Sequence, residues 1–229
     1  MPGPLAKQLA DLTLRRAPAA AAAWFAPQAA SLQSSVASRR AAFLSAFSSA
    51  GRLLGPAPQT LGPGALGHGG EAFLILLSGR GLDELGRVAL LLAEVDAAAD
   101  GHEELVHELF FRGDVREKQA VLRALPLLPG PARFLEVGVE ACRSSVQTIF
   151  EAIACENPYP ADHFSEAAFN QLVLKALFIE TSVLRIAGLE RRAAAELLRM
   201  AEGYGNERRA AGRSVPEDID RIAALVRRA

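Results

Sequence analysis

Cysteine is scarce in this sequence, and the positive and negative charges are nearly equal in number. Only two cysteines, Cys142 and Cys155, occur among the 229 residues, and they do not form a CxxC pair. Disulfide frameworks and structural zinc sites need several suitably spaced cysteines, so we expect free thiols in a reducing compartment. Lys and Arg number 25 against 26 Asp and Glu, a formal net charge of −1. The sequence lacks the basic excess of a dedicated nucleic-acid-binding protein, and we expect no nucleic-acid partner.

Long apolar runs and strand patterns are missing as well. Half of the residues are hydrophobic, which is enough for a sizeable core, but no run approaches the roughly 18–20 residues that span a bilayer. No sustained alternation of apolar and polar residues indicates a β-strand. The sequence therefore predicts an all-α protein that does not cross a membrane.

Capping signals divide the chain into short helices. An acidic or hydroxyl residue followed three positions later by glutamate is typical of a helix N-terminus, and this spacing occurs at Asp100 and Glu103, at Asp114 and Glu117, and at Ser214 and Glu217. We predict helices near 4–15, 18–30, 35–53, 82–98, 101–112, 114–125, 132–154, 165–179, 181–187, 195–211 and 217–228. Successive short helices favour a HEAT-like or irregular α-solenoid, or else a compact helical bundle.

A Gly/Pro-rich segment, 55–70, is predicted to connect an N-terminal helical segment, 1–54, to a main helical domain, 71–229, with the whole chain forming one compact unit. Its stretch GPGALGHGG, 62–70, follows no predicted strand and precedes no Gly-Lys-Ser/Thr. The segment is therefore interpreted as a linker and not as a phosphate-binding loop.

The sequence offers no clear metal or nucleophile motif. His102 and His107 are five residues apart, about 140° round a helix, so they do not share a face as zinc ligands would. Cys155 has Glu151 one turn before it, and a neighbouring carboxylate raises the pKa of a thiol. We therefore expect no metal site and no cofactor.

The predicted helix at 165–179 contains the most informative polar residues. From Phe169 onward, apolar side chains lie almost all the way round it, which is typical of a buried helix. Asn170 and Lys175 interrupt this pattern, and buried polar groups need partners. The pattern allows a structural network, with Asn170 at the rigid ENPYP corner and Lys175 paired with a glutamate, or a site for a small polar group. We leave both open.

Several motifs together resemble the EboA family of metabolite-traffic proteins. They are FLSAFSSAGRLLG (43–55), FFRGDVREKQAVLRALPLLP (110–129), FEAIACENPYPADHFSEAAFNQLVLKALFIE (150–180), LRIAGLERR (184–192) and ELLRMAEGYGNERRAAGRSVPEDI (196–219). The resemblance covers most of residues 40–220. The chain departs from the family pattern at Ser144 and Ser145, where Thr-Asn is expected, and in the Ala-rich segment after Arg192.

The resemblance implies a cytoplasmic helical accessory protein, with peripheral association with the inner membrane as a further expectation. Families of this kind are encoded in bacterial and algal clusters for moving secondary-metabolite precursors. The partners implied are a small-molecule metabolite, a UbiA-like membrane prenyltransferase and other cluster-encoded proteins. No catalytic residue is implied. The motif positions that we select as ligand-binding candidates are Glu151, Glu156, Asn157, Asn170, Lys175, Glu207, Arg208 and Arg209.

We therefore predict non-catalytic handling of a metabolite, or scaffolding of the enzymes that make and export it. Lys175 with Arg208 or Arg209 would offer positive charge to an anionic or carbonyl group, Asn157 and Asn170 would orient it, and apolar walls would take a prenyl or aromatic body. The alternatives are a pure interaction module and an enzyme whose acid–base chemistry comes from Glu151, Glu156 and His163.

Overall fold

The all-α prediction is confirmed by a computed structural model that describes residues 3–30, 36–66, 73–98 and 101–228. The described part of the chain contains fourteen α-helices and one small β-ribbon. The helices are α1 (Pro4–Arg16), α2 (Ala19–Ala30), α3 (Val36–Leu53), α4 (Leu74–Leu77), α5 (Leu82–Ala97), α6 (His102–Arg112), α7 (Val115–Ala124), α8 (Leu135–Arg143), α9 (Gln147–Ala154), α10 (Tyr159–His163), α11 (Glu166–Phe178), α12 (Leu189–Arg192), α13 (Ala195–Ala210) and α14 (Asp218–Val226). No helix of the described residues is long and apolar enough to cross a membrane.

The contacts divide the chain into two compact units, Met1–Val137 and Gly138–Ala229. The division falls inside α8, at a position that the sequence does not mark with a linker. In the predicted linker, strand β1 (Pro58–Gln59) pairs antiparallel with strand β2 (Arg80–Gly81), and two-residue strands are too short to give a visible alternation. Residues 67–70 of that segment lie outside the described part. The division at 55–70 stays a prediction, as does the choice between solenoid and bundle.

Helix α5 is the centre of the first unit. Nearly every residue from Leu82 to Val95 is buried, and the helix packs against α1, α3 and α7. Its charged residues are paired: Asp83, fully buried, accepts from Arg87 at 2.8 Å and from Arg116 at 2.8 Å. Arg87 also donates to the carbonyl oxygen of Phe47 at 2.9 Å. Because buried charges are costly unless paired, this network fixes α5 against its neighbours.

The capping predictions have mixed outcomes. At α7, Asp114 accepts from the amide of Glu117, and the Glu117 carboxylate accepts from the amide of Asp114, so this capping box is confirmed. Asp100 lies outside the described residues. The box predicted at Ser214 is wrong, because α14 begins at Asp218 and has no side-chain cap at its N-terminus.

The helices of the second unit are shorter and more often interrupted than predicted. The single helix expected at 132–154 is two helices, because residues 144–146 leave the helical path between α8 and α9. The helix expected at 181–187 is only a short 3₁₀ turn, Val183–Arg185. Helices α10 and α12, and α4 in the first unit, are absent from the predicted set, since four or five residues carry too little periodicity to be recognised.

Candidate functional site

The ENPYP corner between α9 and α10 is held by the side chain of Asn157. This residue is fully buried, its amide nitrogen donates to the carbonyl oxygen of Ala152 at 3.0 Å, and its oxygen accepts from the backbone amide of Tyr159 at 3.1 Å. Both ends of the side chain therefore satisfy backbone groups that the two prolines and the turn leave without helical partners. These contacts fix the conformation of the corner, next to which the carboxylates of Glu151 and Glu156 lie.

Arg185 joins two of the predicted site residues. Its guanidinium donates to Glu156 at 2.7 and 3.2 Å and to Glu151 at 2.9 Å. The backbone of Glu156 is left-handed, with φ of 53°, and its amide donates to the carbonyl oxygen of Arg185 at 2.7 Å. The hydrogen bonds that Arg185 donates to Glu156, and then the one to Glu151, raise the pKa of Arg185. Glu151 and Glu156 are thus brought together, but around a cation of the protein itself.

Lys175 interacts with the end of α8 and not with a glutamate. Its ammonium donates to the carbonyl oxygen of Cys142 at 2.5 Å and to that of Ser144 at 2.6 Å. It also lies 5.0 Å from the centre of the Phe150 ring, within the range of a cation–π contact. The structural pairing with a carboxylate that the sequence suggested is wrong, because the break after α8 leaves carbonyl groups that attract a cation.

Burial affects the protonation of both side chains at this break. Removal from water lowers the pKa of Lys175, although a negative charge on Cys142 would act in the opposite direction. Burial also raises the pKa of the Cys142 thiol to about 12, so this cysteine is a thiol and not a thiolate near neutral pH. An ammonium group has three donors, and two of those of Lys175 are used by the protein.

Asn170 lies on α11 but is not brought to Lys175. It is 2% exposed, and its side-chain oxygen has no hydrogen-bond partner among the described residues. It does not line the groove that borders Lys175. The two polar residues that drew attention to this helix therefore have separate environments, and a binding role for Asn170 stays a prediction.

A groove of about 660 Å³ lies beside Lys175, and we call it the Lys175 groove. Its apolar side chains are Phe150, Leu174, Phe178 and Ile179, and its polar side chains are Ser144, Ser145, Gln147, Gln171, Lys175 and Tyr204. The volume lies within the roughly 300–1,000 Å³ of small-molecule sites, and a mainly apolar wall with a few polar groups is typical of them. Lys175 is the charged residue among the described lining residues.

The three candidates on α13 do not converge on this groove as a set. Arg208 donates to the hydroxyl of Tyr204 at 3.1 Å and to the carbonyl oxygen of Ser214 at 2.6 Å. It therefore contacts a lining residue without lining the groove itself. Glu207 and Arg209 are exposed, and Arg209 donates to Asn206 at 2.6 Å. The roles predicted for these three residues stay predictions.

Sequence reasoning missed the residues that complete the arrangement. Gln171 and Tyr204 line the groove, and Arg185 holds the two glutamates. Arg185 could have been suspected, because two carboxylates near one corner need a cation. Tyr204 lies 29 residues after Lys175 in sequence, and no periodicity connects the two.

Potential metal-ligand side chains are not grouped together in the part of the chain that the structure describes. Among the described residues, no group of three or more His, Cys, Asp and Glu side chains could hold a metal ion. The two cysteines are not joined in a disulfide. The chemistry that the groove offers is therefore a cation, hydroxyl and amide groups, and apolar contact.

Comparison with known proteins decides the family. A family model described as the metabolite traffic protein EboA matches residues 5–224. The chain belongs to the EboA family. No curated protein and no solved structure matches it in the same comparisons. The motifs at 150–180 and 196–219 that suggested EboA lie inside the match, and family membership supports a general role in metabolite traffic.

Proposed function

We propose that this EboA protein serves metabolite traffic by binding a metabolite in the Lys175 groove, without transforming it. The observation that carries the proposal is a cation at the edge of a mainly apolar groove of about 660 Å³. Lys175 has two donors on backbone carbonyls, so it is positioned in advance, and its third donor is available for an anionic or carbonyl group. Leu174, Phe178 and Ile179 would contact an apolar or aromatic body.

The contacts favour binding over acid–base catalysis. In the enzyme alternative, Glu151, Glu156 and His163 would take and give protons, but both carboxylates accept hydrogen bonds from Arg185. A substrate could use these carboxylates only by replacing their hydrogen bonds to the guanidinium, which also hold the ENPYP corner in place. The thiol of Cys142 beside Lys175 is also not ionised near neutral pH. The contacts with Arg185 give the two glutamates a structural function.

A scaffold is the second candidate function, and Phe178 is the observation in its favour. Its side chain is 69% exposed at the groove, and Leu184 in the same unit is 67% exposed. Large exposed apolar side chains are frequent at surfaces that bind other proteins. The predicted UbiA-like prenyltransferase partner, the cytoplasmic location and the peripheral contact with the inner membrane stay proposals.

The fluorescent probe anilinonaphthalene sulfonate tests the binding proposal, because it joins an aromatic body to an anion. We expect saturable binding near one probe per chain, with fluorescence enhancement that an organic extract of the native host reduces. Lys175→Gln should weaken binding about fivefold, as expected for the loss of one partly exposed charge-assisted hydrogen bond. Phe178→Ser should weaken it by a similar factor through lost apolar contact.

Arg199→Gln is the matched control for these variants. Arg199 is exposed on α13 and pairs with Glu196 at 2.7 Å, away from the lining residues, so this variant also removes one positive charge. The control should bind the probe as the natural protein does. If all three variants bind equally, the probe is not in the Lys175 groove and the proposal fails. Circular dichroism would establish that each variant remains helical.

A further inference from the structure

A second groove also borders Lys175, and we call it the Arg143 groove. It has a volume of about 700 Å³ and is bordered by α8 and by the first half of α11. Val139, Phe164 and Leu172 supply apolar wall, while Arg143, Ser165 and Cys142 supply polar groups. All of these residues belong to the second unit.

The two grooves share two lining residues, Gln171 and Lys175. Each volume alone is within the usual range for a compact small molecule, and the two together exceed the upper end of about 1,000 Å³. Because the shared residues form the border of both spaces, a ligand that passes over them would occupy both. An extended molecule fits this arrangement better than a compact one.

The charges that line the grooves have one sign. Arg143 and Lys175 are cationic, and the described lining residues of both grooves include no aspartate or glutamate. Arg143 is 71% exposed and uses Nη1 to pair with Glu140 at 3.0 Å, which leaves further guanidinium donors. Both cations border the Arg143 groove, whereas Lys175 alone borders the Lys175 groove. An anionic group is therefore best placed in the Arg143 groove, with an apolar chain extending past Lys175.

We propose that the two grooves form one elongated site for a single-chain anionic amphiphile, with its head between Arg143 and Lys175 and its chain along Leu174, Phe178 and Ile179. The inference rests on the proposed function and adds the chemical class and direction of the ligand. Arginine donates two parallel hydrogen bonds to phosphate, and lysine adds a point charge, so a phosphate head suits the pair. The chain would gain free energy from apolar burial.

Butyl phosphate and dodecyl phosphate, the latter below its micelle-forming concentration, are the probes for this inference. We expect butyl phosphate to shift the amide NMR signals of Arg143, Ser165, Ala168 and Lys175 and to leave those of Phe178, Ile179 and Tyr204 unchanged. Dodecyl phosphate should shift both sets, with affinity at least about tenfold higher, as several buried methylene groups would give.

Paired variants separate the head from the chain. Arg143→Gln should weaken both probes about fivefold, and Glu140→Gln, which releases Arg143 from its ion pair, should strengthen both. Phe178→Ser should weaken dodecyl phosphate about fivefold and leave butyl phosphate unchanged. Dodecanol, which has the chain without the charge, should bind more weakly than dodecyl phosphate.

The results can contradict the elongated site while leaving metabolite binding in the Lys175 groove in place, or they can contradict both. Shifts from dodecyl phosphate confined to the Lys175 groove would overturn the elongated site and leave metabolite binding in place. Shifts confined to the Arg143 groove would overturn both proposals. Equal affinity of the two probes, or equal binding by Arg143→Gln and the natural protein, would also contradict the inference.

Discussion

At the scale of single residues, Lys175 contributes both to the stability of the fold and to the proposed binding site. A lysine on a largely buried helix needs acceptors, and the two carbonyl groups at the end of α8 provide them at 2.5 and 2.6 Å. The same ammonium borders both grooves. One side chain thus stabilises the break between α8 and α9 and presents a positive charge to any ligand beside it.

Replacing Lys175 by methionine should therefore have two separable effects. We expect the free energy of unfolding to fall by about 1–2 kcal/mol, because two carbonyl groups lose a charged donor in a partly exposed site. Binding of anilinonaphthalene sulfonate should fall as well. Urea denaturation followed by circular dichroism measures the first effect, and fluorescence titration measures the second.

Arginine at the same position distinguishes the two functions of Lys175. Lys175→Arg keeps the charge and should recover part of the probe binding that Lys175→Met loses. A methionine variant as stable as the natural protein would contradict the structural part of this prediction. Full probe binding by that variant would contradict the functional part.

At the scale of helices and turns, the end of α11 helps to position the Lys175 groove. Helix α11 ends in a double hydrogen-bond pattern: the amide of Thr181 donates to the carbonyl oxygen of Ala176 at 2.9 Å, and that of Glu180 to Leu177 at 3.3 Å. Glu180 must adopt a φ of 58° to complete this pattern, and glycine is the residue that most often occupies such a position. The turn sets where α11 stops beside the Lys175 groove.

Glu180→Gly should stabilise the protein by about 0.5–1 kcal/mol. A left-handed conformation is costly for a residue with a β-carbon. The glutamate that is lost is 74% exposed in its side chain and has only a distant contact, 3.8 Å, with Arg208. Thermal unfolding followed by circular dichroism would measure the gain.

Glu202→Gly is the matched control for this change, because it replaces an exposed glutamate inside α13. It should destabilise the protein by about 1 kcal/mol, since glycine is unfavourable within a helix. If both glycine variants destabilise the protein, the turn at Glu180 does not have the conformation described.

At the scale of the whole molecule, burial of Glu84 on α5 makes the stability depend on pH. Burial raises the pKa of Glu84 above the usual 4.5, although Arg123 acts to lower it. The folded state therefore holds this proton more tightly than the unfolded state. The stabilisation is complete below the unfolded pKa and is lost as the pH rises through the raised, folded pKa.

Glu84→Gln should remove this part of the pH dependence. The free energy of unfolding of the variant, relative to that of the natural protein, should increase as the pH rises from about 4 to neutral. Urea denaturation at several pH values measures it. Glu103→Gln, which replaces an exposed glutamate of α6, controls for the loss of one negative charge. A relative stability of Glu84→Gln that stays constant or falls over this range would contradict the prediction.

The sequence predicts the helical class and most of the long helices, because apolar periodicity is a local pattern. The predicted helix at 132–154 is the exception, since the chain leaves the helical path at 144–146. The sequence predicts the site less completely. The apolar residues around Lys175 show that its ammonium group needs a partner. They do not show which partner, because the carbonyl groups that accept from it become available only where the predicted helix is interrupted at 144–146. Arg185 and Tyr204 reach the corner and the groove through tertiary packing, which leaves no local pattern.

The most direct test of the central claim is to purify the protein from its native host, denature it and search for a released small molecule by mass spectrometry. We expect an apolar compound with an anionic or carbonyl group, near one per chain, which is strongly reduced in Lys175→Met and unchanged in Arg199→Gln. Absence of any released compound from correctly folded natural protein, or equal release from both variants, would contradict binding in the Lys175 groove.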